Sequence, residues 1–468
     1  MNRKRFDENA SIDRDYILSL IDGAKNTSRE DIDRILEKAT HKKGLDHAEI
    51  AALLEIKDPD QVQKLYEISG RIKRDVYGNR IVLFAPLYIS DYCVNNCIYC
   101  GYKCKNKFNR KRLTMDEIRR EVEILEEMGH KRLALEAGED PLNCPIDYVL
   151  EAINTIYDTY EKNGVIRRIN VNIAATTVEN YKALKDAQIG TYILFQETYD
   201  KEIYERMHPN CLKGDYNYHL TAFDRAMEAG IDDVGAGVLF GLADPKFEVL
   251  GLMMHNEHLE KKYGVGFHTI SVPRLRPAEG VSLETFPYLL DDDMFKKIVA
   301  IIRLLAVPYT GMILSTREDE DMRKELIEYG ISQISAGSCV GVGGYHESMV
   351  GENIGQFEMA DDRKPIEVID DLIDHGYIPS YCTACYRSGR TGEKFMNIAK
   401  SEKIHYMCKP NALTTLMEYA VDYGNEEFLE KAEKFVRDQA DEIDREDIKK
   451  FTLDNINKLK DGIRDLYI

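Results

Sequence analysis

Cys93-Val-Asn-Asn-Cys97-Ile-Tyr-Cys100 is the stretch on which the interpretation of this 468-residue chain depends. Three residues and then two separate its cysteines, on a loop that directly follows the apolar run 81–89. Cysteine thiolates are the usual ligands of a [4Fe–4S] cluster, and three of them leave one iron open. Cys104 follows after three further residues, so spacing alone also permits a four-cysteine structural zinc site.

Short apolar runs alternate with amphipathic helices beyond residue 80. The runs lie at 81–89, 132–137, 168–174, 191–196, 234–240, 267–272, 310–315 and 331–336. Helices are predicted at 114–128, 145–162, 178–187, 216–229, 247–262, 292–306 and 318–329. Continuously apolar strands that are each followed by a helix are typical of a parallel sheet buried on both faces. We therefore predict an α/β fold with a (β/α)₈ TIM-type barrel, and an open doubly wound sheet is the alternative.

Three further segments complete the predicted organisation around a barrel at 81–350. Residues 1–80 are predicted to form an N-terminal helical extension, and residues 351–377 a connecting segment. Residues 378–468 are predicted to form a small, mainly helical C-terminal domain that contains Cys382, Cys385 and Cys408.

Composition excludes several classes of protein. A formal net charge of -19 argues against binding to nucleic acid or to an anionic membrane, because both require basic patches. Residues 1–10 are polar without a secretory pattern, and no apolar run approaches the length of a membrane span. We therefore expect a cytoplasmic protein, in which ten cysteines indicate metal binding or catalysis rather than disulfides.

Polar side chains follow several predicted strands at the barrel end where active sites lie. The second strand leads to Gly138 and Glu139; a glycine permits close approach of a ligand, and Glu139 can accept hydrogen bonds from an ammonium group. The fourth strand leads to Gln196 and Glu197, suited to ribose hydroxyls, and then to Arg206, suited to a carboxylate. Each alone is an ordinary loop or salt-bridge residue, but their convergence with a three-cysteine loop favours a functional site.

The CxxxCxxC motif, with Tyr99 before its last cysteine, resembles the radical S-adenosylmethionine (SAM) enzymes. Ala137-Gly138-Glu139 is similar to the Gly-Gly-Glu of that superfamily and departs from it at one position. The resemblance implies reductive cleavage of SAM to methionine and a 5′-deoxyadenosyl radical, which takes a hydrogen from the substrate. It implies a [4Fe–4S] cluster on Cys93, Cys97 and Cys100, with cofactor contacts from Tyr99, Gly138, Glu139, Gln196, Glu197 and Arg206.

Three more motifs resemble the aromatic amino-acid lyases of the superfamily, including the tyrosine lyase of thiazole synthesis, ThiH: Leu314-Ser-Thr-Arg-Glu318, Ser335-Ala-Gly-Ser338 and Gly343-Gly-Tyr345. We expect Arg317, at the end of the seventh strand, to clamp a substrate carboxylate, with Arg276 as the next candidate. A salt bridge to Glu318 is the alternative. We expect Ser335 and Ser338 to add a hydroxyl contact to the substrate. The alternative is that these serines only stabilise a turn.

The tail motif Cys382-x₂-Cys385-x₂₂-Cys408 resembles the [FeFe]-hydrogenase maturases of the HydG family, whereas ThiH lacks it. The alternative is a structural zinc on these cysteines and His405. The resemblance implies a second iron–sulfur cluster with an additional iron at the bottom of the barrel. It further implies that His268, near the start of the sixth strand, ligates that iron; the alternative is a histidine of the core.

The implied activity is that of a radical SAM carbon–carbon lyase acting on L-tyrosine. It would release p-cresol and dehydroglycine, convert dehydroglycine to CO and cyanide, and build an Fe(CO)₂(CN) precursor of the hydrogenase H-cluster. The implied partners are free cysteine bridging the extra iron, reduced ferredoxin or flavodoxin, and the maturases HydE and HydF, under anaerobic conditions. Neither nucleic acid nor membrane is expected.

Two other hypotheses stay open. The first is a 2-iminoacetate synthase of the ThiH type, whose tail cluster is merely structural. The second is an iron–sulfur carrier or scaffold that makes no radical. Glu139, Arg206 and Arg317 favour an enzyme over a scaffold.

Overall fold

A computed structural model describes residues 12–305, 309–348, 355–401 and 403–468 of the chain. Within them nine parallel strands form one sheet: β1 Arg80–Ser90, β2 Arg132–Ala137, β3 Arg168–Asn172, β4 Tyr192–Glu197, β5 Val234–Val238, β6 Thr269–Ser271, β7 Gly311–Leu314, β8 Gln333–Ser335 and β9 Ile378–Ser380. β1 pairs with both β2 and β8, so the first eight strands close into a ring. The predicted (β/α)₈ barrel is confirmed, and the open sheet is wrong.

Helices surround this barrel and cover its lower end. Within the same residues they are α1 Arg14–Ala24, α2 Arg29–Ala39, α3 His47–Leu54, α4 Pro59–Tyr77, α5 Met115–Glu127, α6 Ile146–Tyr157, α7 Val178–Asp186, α8 Lys201–Met207, α9 Tyr216–Leu220, α10 Ala222–Glu228, α11 Pro245–Tyr263, α12 Asp292–Arg303, α13 Glu320–Tyr329, α14 Gly344–Ser348, α15 Pro365–Asp374, α16 Ala384–Arg387, α17 Gly392–Lys400, α18 His405–Tyr423, α19 Glu426–Asp441 and α20 Glu446–Lys460. The predicted helix 216–229 is two helices that meet at Thr221, whose hydroxyl donates to the Asn217 carbonyl at 2.7 Å.

Local sequence explains where these elements begin. The first barrel helix, α5, starts with a capping box in which the Thr114 side chain accepts from the Glu117 backbone N–H and Glu117 returns the bond. Ile118, Val122 and Leu125 lie on its buried face. All eight predicted apolar runs overlap an observed strand, and the run 132–137 coincides with β2.

The ninth strand is absent from the sequence predictions. β9 pairs with Arg80–Val82 at the start of β1 and so extends the sheet at its lower, amino-terminal end. Three residues with Pro379 at their centre carry no strand periodicity, and proline is tolerated mainly at sheet edges. This pairing delivers the segment that begins at Cys382 to the bottom of the barrel.

The flanking segments pack onto the barrel. In the N-terminal segment α4 contacts α12 and α13, while α18 contacts β9, α19 and α20 in the C-terminal segment. The predicted barrel boundary at residues 350 and 351 and the polar start at residues 1–10 lie outside the described residues, and the domain limits stay predictions. No helix in the described part of the chain has the length and apolarity needed to cross a membrane.

Candidate functional site

The carboxyl ends of the strands surround a space of about 200 Å³, the upper cavity. Predicted site residues in its wall are Cys93, Cys97, Cys100, Tyr99, Gly138, Glu139, Glu197, Arg276 and Arg317. The cysteines and Tyr99 share the loop after β1, Glu197 ends β4, and the other residues come from segments that follow β2, β6 and β7. Cys104 is exposed and lies outside this lining, which does not favour the four-cysteine zinc alternative.

Asn95 holds the cysteine loop against two neighbouring loops. Its side-chain N–H donates to Glu139 Oε2 at 2.5 Å, and its side-chain oxygen accepts from the Lys213 backbone N–H at 2.9 Å. Gly138 is required beside this loop, because a Cβ atom there would lie 2.4 Å from the Tyr92 carbonyl oxygen. The close approach that selects glycine is therefore made by protein backbone.

Two predicted cofactor-binding residues lie outside the upper cavity. Arg206 is exposed on α8, where its Nε–H donates to the Glu202 carbonyl at 3.4 Å. Gln196 is buried, and its amide turns back to a neighbouring backbone carbonyl. Lys213, which no sequence pattern singles out, lies in the cavity wall with its Nζ 2.6 Å from Glu197 Oε1. The cation in this wall is therefore Lys213, whereas α8 turns Arg206 to the surface.

Below the upper cavity the barrel interior holds a second space of about 80 Å³, the central cavity. Residues that line both are Tyr88, Glu136, Asn172, Phe195, Arg317 and Phe357. The Arg317 guanidinium carbon lies 3.4 Å from the centroid of the Phe357 ring, and Nη1 donates to Ser315 Oγ at 3.3 Å. Arg317 thus stands where the two cavities meet.

The other predicted substrate residues are also near this junction. Glu318 accepts hydrogen bonds from Arg274 and, at 2.7 Å, from Arg276, so its described ion pairs do not involve Arg317. Ser335 and Ser338 line the central cavity. The Ser338 hydroxyl is buried without a hydrogen-bond partner among the described residues and is therefore available to a ligand.

Glu136 is a buried acid at the same junction. It hydrogen-bonds to Asn172. Burial raises the pKa of Glu136 to about 8, although the nearby Arg317 opposes this shift. Burial also lowers the pKa of Arg317. Once the Glu136 carboxyl is ionised, it and the Arg317 guanidinium carry charges opposite to those of a zwitterionic amino acid.

A third space of about 40 Å³, the lower cavity, lies at the opposite end of the barrel. Cys382, Cys385, Cys408 and His268 all line it. The cysteines come from the segment after β9 and from α18, and His268 directly precedes β6. His405 lies outside this lining, with its ring against the next residue. The structure thus places His268, rather than His405, beside the three thiols.

Positive charge surrounds these thiols. Arg80 and Arg132 line the lower cavity, and Arg132 Nη1 donates to the Cys382 carbonyl at 3.1 Å. The Nε atoms of both arginines are buried without a hydrogen-bond partner among the described residues. Burial raises the pKa of Cys382, and the two guanidinium groups oppose that shift. A set of thiols inside a cationic wall fits an anionic iron–sulfur cluster.

His268 is suited to metal ligation by its burial. Burial lowers its pKa, so the imidazole is neutral and keeps a lone pair. Nε2 lies 3.1 Å from the Tyr386 hydroxyl, and Nδ1 lies 3.8 Å from Asp233 Oδ2. Arg168 stands between these neighbours, 3.4 Å from the same Asp233 oxygen. The Tyr386 hydroxyl therefore orients the ring from one side, whereas Nδ1 is buried without a hydrogen-bond partner among the described residues.

One thiol at each end, Cys100 above and Cys408 below, holds its proton tightly. Burial raises the pKa of Cys100 to about 11 and that of Cys408 to about 12, so a metal centre must displace protons when it binds. Among the described residues no three His, Cys, Asp or Glu side chains have the spacing of a ready-made metal site. The fit to iron–sulfur clusters rests on donor type and on the shared cavities.

Comparison with known proteins agrees with this architecture. The Radical SAM superfamily profile matches residues 87–253, and the Biotin and Thiamin Synthesis associated domain matches residues 271–378. The 2-iminoacetate synthase of Salmonella typhimurium is 30% identical over 345 residues, which span 74% of this chain and 89% of that protein.

Two solved structures resemble nearly the whole chain. HydG, a maturase of the [FeFe]-hydrogenase, is 57% identical with a TM-score of 0.95, covering 98% of this chain and 99% of that one. The maturase HydG from Carboxydothermus hydrogenoformans is 39% identical with a TM-score of 0.83, covering 94% and 97%. The chain therefore belongs to the HydG family of the radical SAM superfamily.

Proposed function

We propose that the chain cleaves L-tyrosine to p-cresol and dehydroglycine and converts dehydroglycine to CO and cyanide for an Fe(CO)₂(CN) precursor of the hydrogenase H-cluster. The observation that carries this proposal is the presence of two three-cysteine cavities at opposite ends of one barrel. The related solved structures are named as maturases of the [FeFe]-hydrogenase. Family membership implies SAM and a [4Fe–4S] cluster, and HydG implies a second cluster.

In the upper cavity, Cys93, Cys97 and Cys100 would hold the cluster, which with SAM supplies one-electron SAM cleavage and hydrogen abstraction from the substrate. Glu139, held by Asn95, would accept hydrogen bonds from the SAM ammonium. Lys213 places a cation in the same wall for a carboxylate. This division of charge suits the amino-acid end of SAM.

The substrate site lies at the junction with the central cavity. Arg317 would receive the tyrosine carboxylate, and Ser338 would add its unpartnered hydroxyl. Glu136 faces the same space and would receive the ammonium as a carboxylate. Phe195 and Phe357 provide apolar walls for the aromatic ring. The site thus selects an α-amino acid with a planar side chain.

A line of inward-facing residues on β1 connects the two ends. Val82 lines the lower cavity, Phe84 and Pro86 line the central cavity, and Tyr88 lines the upper and central cavities. Alternate residues of a strand face the same side, and six residues span about 20 Å. Diatomic products released at the top would therefore travel about 20 Å through the barrel to reach iron held by the tail cysteines and His268.

Anaerobic incubation of cluster-reconstituted protein with SAM, L-tyrosine and dithionite tests the proposal. Chromatography should show 5′-deoxyadenosine and p-cresol, and infrared spectra should show iron-bound CO and cyanide. A 2-iminoacetate synthase, the activity of the Salmonella typhimurium relative, would form p-cresol without these bands. A carrier or scaffold would form no 5′-deoxyadenosine, and either result would contradict the proposal.

A further inference from the structure

We propose that the surface next to the upper cysteine loop docks a small acidic protein that donates single electrons. This inference rests on the proposed function, because only a redox centre on Cys93, Cys97 and Cys100 needs such a donor. The basic surface is defined as Lys105, Lys107 and Arg112.

Charge is strongly segregated in this part of the chain. Residues 103–112 contain six basic and no acidic residues, in a protein with a formal net charge of -19. Lys105, Lys107 and Arg112 are exposed. No ion pair of these three side chains with a carboxylate occurs within 4.0 Å among the described residues. A cationic patch without ion pairs attracts an acidic surface, while the net negative charge of the rest of the protein repels it, so an acidic partner is steered to this patch.

The other cations of the segment hold it in shape. Arg110 donates to the backbone carbonyls of Tyr102 at 2.8 Å and Lys103 at 2.7 Å, as well as to that of Asp91. Lys111 pairs with Glu347 at 2.6 Å. These contacts order the loop, so the remaining charges are presented on a rigid surface, which reduces the entropy cost of docking.

The basic surface is directly connected to the cysteine loop. The Tyr102 N–H donates to Cys100 Sγ at 3.4 Å, and the Cys104 N–H donates to the Asn95 carbonyl at 2.8 Å. Lys105 is therefore next to a residue that is hydrogen-bonded to the loop between the cysteines. A protein bound here would stand over the centre that it must reduce.

Exposed apolar residues accompany the charges. Leu142 is 83% exposed and Val94 is 40% exposed. Arg112 donates to the carbonyl of Asn143, the residue after Leu142, at 2.9 Å, and Val94 lies within the cysteine loop itself. Short-lived electron-transfer complexes use small interfaces, for which steering by charge and a few apolar contacts suffice.

The transfer is a simple one-electron exchange. The reduced donor loses one electron, the chain gains it, and the cleavage of one SAM consumes it. No atom crosses the interface. The donor class is therefore a low-potential iron–sulfur or flavin protein with an acidic surface.

The test compares a triple charge reversal, Lys105→Glu, Lys107→Glu and Arg112→Glu, with a matched control. The control reverses Lys434, Lys450 and Lys458, which are exposed on α19 and α20 and change the net charge equally. Calorimetric binding of a two-cluster [4Fe–4S] ferredoxin, with a flavodoxin in a parallel arm, is measured anaerobically at low and high salt. The double variant Lys105→Glu, Lys107→Glu keeps the Arg112 contacts intact if the triple variant folds poorly.

We expect the surface variants to bind the donor at least about tenfold more weakly at low salt, with a smaller difference at high salt, because charge steering is screened. Formation of 5′-deoxyadenosine should fall when ferredoxin or flavodoxin is the reductant and stay within about twofold of wild type with dithionite, which needs no docking surface. The control variant should match wild type in both assays.

Unchanged binding of both donors would overturn the docking surface, as would an equal loss of activity with dithionite. Salt-sensitive binding of an RNA oligonucleotide, without binding of either donor, would assign the surface to nucleic acid and also overturn it. If the wild-type protein makes no 5′-deoxyadenosine with dithionite, that result contradicts the proposed function rather than the docking surface.

Discussion

The upper and lower cavities use the same number of cysteines, but they are built in opposite ways. The upper cysteines occupy one loop, which Asn95 ties to its neighbours through side-chain hydrogen bonds. The lower cysteines come from two separate segments and meet His268 only through the packing of the C-terminal helices on β9. A metal site within one loop is visible as a motif, whereas an assembled site depends on the fold around it.

The charged residues in the walls of the two cavities also differ, and the difference indicates which kind of ligand each cavity can hold. The upper wall mixes Glu139, Glu197 and Lys213, which suits a ligand that carries both charges. The lower wall contains Arg80 and Arg132 beside the thiols, which suits a purely anionic group. The comparison therefore predicts SAM chemistry at one end and storage of an iron–sulfur assembly at the other.

The largest effect is expected from the triple variant Cys93→Ala, Cys97→Ala, Cys100→Ala. Removal of all three thiols should reduce 5′-deoxyadenosine to the level of a protein-free reaction, because no other described cysteine lines the upper cavity. Cys104→Ala is the matched control and should keep wild-type activity, since that side chain is exposed. Product formation at the normal rate by the triple variant would refute the assignment of the upper site.

Cys382→Ala with Cys385→Ala should separate the two ends. Tyrosine cleavage needs only the upper and central cavities, so p-cresol should persist within severalfold of wild type, while the infrared bands of iron-bound CO disappear. Loss of p-cresol from a folded variant would show that the ends are not independent. Persistent iron–CO bands would show that the tail cysteines have a structural role and do not hold the iron that collects CO.

His268→Ala should weaken retention of the additional iron while leaving the cysteine-bound cluster in place. We expect a loss of affinity on the order of 10–100-fold, the scale on which even the hydrogen-bond partners of metal ligands act. The loss of the additional iron is measured by the iron content and the electron paramagnetic resonance spectrum of the purified protein. His405→Ala is the control, because that ring lies outside the lower cavity, and metal loss in this variant alone would contradict the assignment.

Arg317→Ala should raise the tyrosine concentration needed for half-maximal p-cresol formation at least about tenfold, because a charge-assisted bidentate contact contributes about 1.5–3 kcal/mol. SAM binding should persist. Arg317→Lys should recover part of the loss, since a point charge replaces the planar fork. An unchanged tyrosine requirement would move the role to Arg276, which lines the same cavity.

The smallest effect is expected from Glu136→Gln. Because burial raises the pKa of Glu136 to about 8, the carboxylate that meets the substrate ammonium forms as the pH rises through that value. The wild-type tyrosine requirement should therefore fall severalfold from about pH 7 to about pH 9, and that of Glu136→Gln should stay flat. Inhibition by 3-(4-hydroxyphenyl)propanoate, which lacks the amine, should weaken in Arg317→Ala but not in Glu136→Gln. The opposite pattern would exclude this ammonium site.

Most of the barrel was predictable because its signals are local. Buried parallel strands are apolar along their whole length, and helices such as α5 combine a cap with an apolar stripe. Lys213, Glu136 and Asn95 were not predicted as site residues, because a single polar residue in a loop or at a strand end has no periodicity. Arg206 is the opposite case. It was predicted as a site residue because of its side chain and its position after the fourth strand, but α8 turns it to the surface.

The sequence by itself determined the alternation of strands and helices, the three-cysteine loop and the tail motif, because each depends on neighbours within a few residues. Tertiary structure alone decided that β9 joins β1, that His268 rather than His405 meets the tail cysteines, and that Lys213 rather than Arg206 faces the upper cavity. The physical reason is distance along the chain. Contacts between remote segments are set by how whole elements pack, and no local pattern records the result.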